Sequence, residues 1–356
     1  MPTVAWIIAR HPLLGGEFLR ATMPARLCRD YLGWATAVAD RMGDVDPGGP
    51  LHFVTPGPDP VIVRPDVIIV RPIREWRPEY TAQARRAGQL VIADLDDDVW
   101  AHEDWTPDSR PNDDGYDDWI WDCDGYLVST PAIARRVRDG VRGRRPRGPV
   151  VVAPNVFDVG ALGQFGPPRP GTRRIGTRMW LSGRQSGDIR LYQSLIEPLL
   201  DTLDLTFVHV GAESGHRFSD HGFPHGRLEE HQSVPEPLLG EALHTCSVGV
   251  ICAADVAYNR AKTLTHVIEL ASIGLPLVIA SDLAIYRHVP GRVEPRLGEV
   301  RRRLKALDNP DTWRREAAEV QRFARAVVRR DTTAYVLAVQ RLAANLLARS
   351  QPPFVT

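Results

Sequence analysis

Lysine is almost absent from this chain of 356 residues, because only Lys262 and Lys305 stand among its 44 basic residues. Arginine supplies the rest, and GC-rich coding explains this bias better than a need for guanidinium groups at every position. The bias indicates an actinobacterial or phage source. Net charge is also lacking, since the acidic residues number 44 as well. A balanced chain has no overall positive field to gather nucleic acid or bind an acidic membrane.

Paired cysteines and long apolar runs are missing too. The four cysteines are scattered, and no two have the C-x-x-C spacing of a zinc or dithiol motif. No segment reaches the roughly 18 apolar residues of a membrane-spanning helix, and the N-terminus lacks the basic region of a signal peptide. We therefore expect a cytoplasmic protein with no membrane span and no metal. A P-loop and a hydrolase nucleophile elbow are also absent.

Short apolar runs rich in β-branched residues alternate with helical patterns along most of the chain. In the N-terminal half the predicted strands are 4–9, 51–55, 67–71, 90–95, 125–130 and 150–153, and the predicted helices are 17–42, 79–87 and 131–139. In the C-terminal half the predicted strands are 174–181, 205–210, 247–252 and 277–281, and the predicted helices are 188–203, 236–244, 263–272 and 311–348, the last broken near 331–333. Such alternation predicts an α/β protein with parallel sheets covered on both faces.

A segment rich in glycine and proline, residues 163–173, separates the two halves and is typical of an interdomain linker. We therefore predict a Rossmann-like N-terminal domain over 1–162. A second Rossmann-like domain follows over 174–325, and a helical segment over 326–356 ends the chain. The two domains are expected to face a cleft.

The most informative segment runs from residue 259 to residue 281. Its predicted helix carries an apolar stripe that ends at Gly274, which leaves another face for chemistry. On an unbroken helix, Lys262 and Glu269 would lie on nearly one line, roughly 10 Å apart. The helix start, with Lys262 and Thr263, suits a phosphate, and Glu269 suits the hydroxyls of a sugar. The alternative is an ordinary amphipathic helix with a solvated lysine and glutamate.

This segment resembles the C-terminal signature of the GT-B glycosyltransferases, particularly glycosyltransferase family 4 and relatives. The branch in question begins Asn-x-x-Lys-Ser/Thr, here Asn259 and Lys262, and continues through Glu269 to a Gly-x-Pro turn before a strand. The resemblance implies a GT-B fold in which 1–162 is the acceptor-side domain and 174–325 is the nucleotide-sugar-binding domain. In such a fold the C-terminal helices pack back toward the N-terminal domain. It also implies sugar transfer from a nucleoside diphosphate donor, UDP or GDP, with retention of configuration, and no further cofactor.

The resemblance also assigns donor-binding roles, which include Asn259. The acid at Glu269 holds the donor ribose, and the start of the helix, with Lys262 and Thr263, holds the diphosphate. Arg184 stands where the family places a basic phosphate ligand, although coincidence is a serious alternative among so many arginines. Many members carry a second acid eight residues before the first, and this chain has Ala261 there.

Two matches in the N-terminal half are looser. Gly15, Gly16 and Arg20 resemble the family's Gly-rich loop near phosphate and acceptor, but the same residues suit a plain strand-to-helix turn. Asp96 and Asp97 correspond to a loop that faces the transferred sugar, and we take them as the candidate catalytic residues. Their alternatives are a helix N-cap cluster and a solvated acidic loop. Crowded carboxylates there are expected to raise one another's pKa.

Three other functions are compatible with the sequence. A phage-type DNA glycosyltransferase acting on hydroxymethylated bases would need a basic acceptor face, for which the arginine-rich run 135–147 is the support. A non-catalytic nucleotide-sugar-binding protein is compatible with Ala261, and a sugar-nucleotide epimerase has a related fold. The acceptor is open among glycan, protein, small molecule and modified DNA. The histidines at 216, 221 and 225, with Asp220, are expected near the donor base rather than on a metal.

Overall fold

The computed structural model describes residues 1–8, 18–43, 49–72, 76–101, 118–157, 170–171, 173–179, 186–212 and 217–350. They fall into two compact units. The first is drawn from Met1–Trp100, Pro111–Phe157 and Arg330–Thr356, and the second from Ala101–Arg110 and Asp158–Arg329.

The first unit is built on a six-stranded parallel sheet. Its strands and those of a small neighbouring sheet are β1 Thr3–Ile7, β2 Ala35–Ala39, β3 Arg41–Met42, β4 Phe53–Val54, β5 Ile62–Val63, β6 Val67–Val70, β7 Leu90–Leu95, β8 Gly125–Val128 and β9 Val150–Val152. Its helices are α1 Met23–Leu32, α2 Pro78–Arg86 and α3 Pro131–Asp139. The parallel sheet has the order β2-β1-β6-β7-β8-β9. Every residue of β6 and β8 is buried, as expected for strands covered on both faces.

The helix predicted over 17–42 is wrong in its second half. α1 ends at Gly33, whose φ of +66° is left-handed. The N–H groups of Gly33 and Trp34 bond back to carbonyls in the last turn of α1, which is a common glycine-based helix end. The alanine-rich residues that follow form β2, which pairs in parallel with β1. Periodicity alone did not separate this short strand from a longer helix.

The run 51–55 was also predicted to join the parallel sheet, and this too is wrong. Only β4 is a strand there, and it lies in an antiparallel three-stranded sheet of order β3-β4-β5. The reason is the proline-rich turn that follows, which folds the chain back on itself. The Thr55 amide donates to the Val61 carbonyl at 3.0 Å and closes a hairpin.

The second unit is built on another six-stranded parallel sheet. Its strands are β10 Arg174–Arg178, β11 Thr206–Val210, β12 Leu228–His231, β13 Val248–Cys252, β14 Leu277–Ala280 and β15 Arg292–Val293. Its helices are α4 Ser186–Leu195, α5 Glu197–Thr202, α6 Leu239–Leu243, α7 Ala257–Arg260, α8 Thr265–Ser272 and α9 Leu297–Ala306, followed by α10 Pro310–Ser350. The order β12-β11-β10-β13-β14-β15 is that of a doubly wound Rossmann sheet. The prediction of an α/β protein with parallel sheets is confirmed.

Helix α10 is continuous over 41 residues, so the predicted break near 331–333 is wrong. The two threonines there lower helix propensity without ending the helix, because residues 331–333 include neither glycine nor proline. Trp313 near its start donates from Nε1 to the Ser247 carbonyl at 2.6 Å in the second unit. Near its other end Leu342 and Leu346 are buried in the first unit, as expected for a C-terminal helix that packs on the N-terminal half. Among the described helices, none has the length and apolar character needed to cross a membrane.

A buried polar cluster ties β11 to β12. Glu230 accepts hydrogen bonds from His209 Nδ1 at 3.2 Å, the Phe218 amide at 2.7 Å and the Ser219 hydroxyl. Burial pushes the pKa of Glu230 upward, but these hydrogen bonds outweigh it and lower the pKa to about 2. A carboxylate whose pKa is lowered on folding stabilises the folded state above its unfolded pKa near 4.5, and that stability is lost as pH falls toward 2.

Replacing Glu230 by glutamine is therefore expected to lower the free energy of unfolding at pH 7 by about 1–3 kcal/mol. The difference from wild type should shrink between pH 4.5 and pH 2, because protonation removes the same charge from the native side chain. Urea denaturation of both proteins across this pH range measures the difference. A constant difference at all these pH values would contradict the assigned role of the charge.

Candidate functional site

The candidate site lies at the carboxyl ends of β10 and β13 in the second unit. The strand order reverses at this point, with β11 on one side of β10 and β13 on the other. Open parallel sheets bind ligands at such a switch point. Arg178 ends β10, and Ala253 and Ala254 follow β13. Side chains from α4, α7 and α8 join them there.

Glu269 is the central acid of this site. It lies on α8, which packs against β10, β13 and β14, and its side chain is only 1% exposed. Its Oε1 is 3.6 Å from Arg178 Nε, and its Oε2 is 3.1 Å from His266 Nδ1. A buried carboxylate is costly unless it is paired, so Arg178 offsets much of the cost of burying Glu269. Sequence reasoning found Glu269 and missed Arg178.

Lys262 and Thr263 lie before α8 rather than on it. The one-turn helix α7 ends at Arg260, and α8 begins only at Thr265, so the predicted single helical face that joins Lys262 to Glu269 is wrong. The reason is tertiary, because the side chain of Asn259 is bonded to groups outside the segment. Lys262 Nζ lies 4.7 Å from the centre of the Tyr258 ring. No side chain caps the first amides of α8, which leaves the helix start suited to an anion.

Asp188 is a member of the site that the sequence did not reveal. It lies in the first turn of α4 and is 4% exposed. Its Oδ1 accepts hydrogen bonds from the Ala254 amide at 2.8 Å and from Asn259 Nδ2 at 2.7 Å. Burial raises the pKa of Asp188, although the charge of Lys262 and these hydrogen bonds act in the opposite direction. The only sequence signal for Asp188 was its position at the start of the helix that follows the first strand of the second half.

Asp96 follows β7 in the first unit and is paired with a guanidinium. Arg71 Nη2 donates to its Oδ2 at 2.7 Å, and the Ser129 hydroxyl donates to its carbonyl at 2.8 Å. Burial pushes the pKa of Asp96 upward, but the charges of Arg71 and Arg20 outweigh it and lower the pKa. The expectation that crowded acids raise the pKa here is therefore wrong for Asp96, because its nearest charges are arginines.

Arg20 is fully buried in the first unit. Its guanidinium donates to both oxygens of Asp94 on β7, to the Ala153 carbonyl at 2.6 Å and to Asn155 Oδ1 at 3.4 Å. The Tyr335 ring centre lies 5.9 Å away. No part of the Arg20 side chain is exposed, and its ionic partner inside the unit is Asp94. Its role toward an acceptor stays a prediction.

The remaining predicted residues differ in what the structure says of them. Gly15, Gly16, Arg184 and His216 lie outside the described residues. Asp97 is partly buried, and its carbonyl accepts from the Val99 amide at 3.1 Å. In the part of the chain that the structure describes, no group of three His, Cys, Asp or Glu is placed to hold a metal ion. The roles assigned to all these residues stay predictions.

Comparison with known proteins shows likeness in structure alone. No protein-family model and no curated protein sequence matches this chain. Sucrose-phosphate synthase from Thermosynechococcus elongatus is 12% identical, covers 98% of this chain over 100% of its own, and superposes with a TM-score of 0.62. The trehalose-6-phosphate protein of E. coli, bound with UDP-2-fluoro glucose, is 12% identical with a TM-score of 0.58, over 96% of this chain and 98% of its own.

A third similar structure is TarM of S. aureus, solved with Fondaparinux, alpha-GlcNAc-glycerol and UDP. It is 10% identical, with a TM-score of 0.53, over 78% of this chain and 55% of its own. At sequence identities this low, structural similarity shows a shared fold and nothing more. Together with the two parallel sheets, the similar structures show that this chain has the GT-B fold of two Rossmann-like units.

Proposed function

We propose that this protein is a glycosyltransferase that moves a sugar from a nucleoside diphosphate donor to a hydroxyl group of an acceptor. The observation that carries the proposal is the buried Glu269 carboxylate at the switch point of the second sheet, held by Arg178 and His266. A carboxylate fixed there can accept two hydrogen bonds from the vicinal hydroxyls of a ribose. A solvated glutamate on an ordinary amphipathic helix would not be 1% exposed.

The groups that come before α8 suit the diphosphate. Lys262 and Thr263 come directly before the uncapped start of α8, and a lysine, a hydroxyl and helix amides all favour phosphate oxygens. Arg184, which comes between β10 and α4 in the sequence, is a further proposed phosphate ligand. The similar structures with UDP or a UDP-sugar bound favour UDP over GDP as the donor nucleotide.

The proposed reaction retains configuration and uses neither a metal nor a further cofactor. The acceptor hydroxyl attacks the anomeric carbon on the face that the diphosphate leaves, and the departing phosphate oxygen takes the acceptor proton. Lys262 and the first amides of α8 stabilise the negative charge that grows on the diphosphate. Asp96 and Asp97 are proposed to orient hydroxyls of the sugar or the acceptor. Asp96 is ionised for this task, because Arg71 helps to keep its pKa low.

UDP is expected to raise the melting temperature of the protein, whereas ADP and GDP leave it nearly unchanged. A ligand present at 100 times its Kd stabilises the folded state by about 2.7 kcal/mol, a shift of several degrees. Differential scanning fluorimetry with UDP, GDP, ADP and their sugars measures the effect. Equal shifts with all nucleotides, or none with any, would contradict the proposed donor site.

The scarcity of lysine provides a matched control for this experiment. Lys262→Ala is expected to remove most of the shift produced by UDP, because it deletes a cation beside the diphosphate. Lys305→Ala deletes the only other lysine, on α9, and should keep the full shift. Incubation of wild type with UDP-glucose and a set of hydroxyl acceptors then tests transfer itself.

A non-catalytic nucleotide-sugar-binding protein is the alternative that one observation favours. Ala261 stands where related motifs carry a second acid, and its methyl group brings no carboxylate to the donor. Binding of UDP without product from any acceptor would support this alternative. A DNA acceptor has less support, because Arg136, Arg144 and Arg147 of the basic run lie within 4.0 Å of acidic side chains. A salt-dependent mobility shift with hydroxymethylated DNA tests that case.

A further inference from the structure

We infer that Asp188 is a positioning residue of the donor site, which holds the segment from Ala254 to Lys262 in place and so sets the position of the Lys262 ammonium. The inference rests on the proposed function and deepens it. It assigns a role to Asp188, which lies outside the sequence motif of residues 259–281. It also changes the role of Asn259 from a donor ligand to a link between Asp188 and this segment.

Three hydrogen bonds hold Asp188, Ala254 and Asn259 together, and we call this arrangement the clasp. Asp188 Oδ1 accepts from the Ala254 amide and from Asn259 Nδ2, and the same Nδ2 donates to the Ala254 carbonyl at 3.0 Å. The bonds join the first turn of α4, the loop after β13 and helix α7. Asp188 is 4% exposed and Asn259 is 2% exposed, so water does not compete for these groups. Bonds to a buried carboxylate are stronger than bonds between neutral groups.

The start of α4 also approaches this loop closely. A Cβ atom placed on Gly187 would lie 3.1 Å from the Cβ of Ala254, which is tighter than most real contacts. Glycine before Asp188 therefore lets the carboxylate reach the Ala254 amide. The clasp depends on backbone proximity as well as on the acid.

Charge links Asp188 to Lys262. Burial raises the pKa of Asp188, and among the neighbouring charges that lower it, that of Lys262 has the largest effect. Lys262 Nζ is also placed over the Tyr258 ring, and Tyr258 belongs to the same short helix as Asn259. An asparagine at 188 could accept both hydrogen bonds at Oδ1, but it would bring no charge toward Lys262. The charge is therefore the part of the clasp that a structural role alone does not require.

The test compares Asp188→Asn with wild type in two measurements. The first needs no nucleotide. Because the chain has only two lysines, reductive methylation with ¹³C-formaldehyde labels their side chains as two NMR signals beside that of the N-terminus. Asp188→Asn is expected to move the Lys262 signal and leave the Lys305 signal in place. A Lys262 signal that stays in place overturns the positioning role, whatever the result of nucleotide titration.

The second measurement is calorimetric titration with UDP. Asp188→Asn is expected to weaken UDP binding about tenfold, and the Asp188→Asn/Lys262→Ala double variant should bind no more weakly than Lys262→Ala alone. Independent, multiplying effects of the two substitutions would overturn the inference. Glu229→Gln, which removes an acid paired with Arg174 in the same unit, should leave UDP affinity unchanged.

These outcomes separate the inference from the proposed function. Wild-type protein that binds neither UDP nor another nucleotide overturns the proposed function. Wild-type binding that Asp188→Asn leaves unchanged overturns the inference alone. If Asp188→Asn merely unfolded the unit, both lysine signals would change and the melting temperature would fall. Such a result would assign Asp188 a structural role and reject the positioning role.

Discussion

Replacing Glu269 by glutamine is expected to lower kcat/KM for the sugar nucleotide by about two orders of magnitude or more. Glutamine keeps the shape of the side chain but removes the charge that faces Arg178 and His266. It also offers a single acceptor oxygen where the carboxylate offers two. A hydrogen bond to a charged group contributes about 1.5–3 kcal/mol, and about 2.7 kcal/mol corresponds to a hundredfold loss. Steady-state kinetics with UDP-glucose, together with UDP titration, measure the effect.

Glu316→Gln provides the matched control for this prediction. Glu316 is another buried acid of the same unit, 7% exposed, and it accepts a hydrogen bond from Arg303 Nη1 at 2.8 Å. Both variants lose a buried ion pair and should be less stable than wild type. Only the Glu269 variant should lose activity beyond what its stability explains. Full transfer activity in Glu269→Gln would show that the donor ribose is bound elsewhere.

Much of the fold could be predicted from the sequence, because a parallel sheet leaves a simple local pattern. Buried strands such as β6, β8 and β13 are unbroken apolar runs, and they occur within a residue or two of the predicted bounds. The errors fall where local patterns are ambiguous. The alanine-rich β2 fits a helix as well as a strand, and only its pairing with β1 decides between them.

The site could be predicted only where its residues are close in sequence. Glu269 and Lys262 belong to one short motif, whereas Arg178 and Asp188 come from β10 and α4. Arg178 is one arginine among many, and nothing local distinguishes it from those at the surface. Its importance arises because α8 packs on the end of β10, which is a tertiary fact. The same holds for the break before α8, since bonds from Asn259 to Asp188 and Ala254 fix the preceding turn.

Asp94→Ala is expected to lower the free energy of unfolding of the first unit by about 3–5 kcal/mol, the usual range when one partner of a buried ion pair is removed. Both side chains of the Arg20–Asp94 pair are 0% exposed. Burial lowers the pKa of Arg20, yet a guanidinium remains charged in a protein. Without Asp94 its remaining hydrogen-bond acceptors, Ala153 and Asn155, are neutral, and Asp96 acts on it only through its charge. Urea denaturation followed by tryptophan fluorescence measures the loss, because most described tryptophans lie in the first unit.

The double variant Arg20→Met/Asp94→Leu separates the charge from the packing, because apolar side chains of similar volume often replace a buried ion pair without loss of stability. It is expected to recover most of the stability that Asp94→Ala loses. A double variant no more stable than Asp94→Ala would show that shape or the remaining bonds of Arg20, rather than an unpaired charge, explain the loss. The same protein tests the acceptor-side role predicted for Arg20. If it folds and transfers sugar as wild type does, Arg20 acts only inside the unit, whereas loss of transfer in a stable double variant would return Arg20 to the functional site.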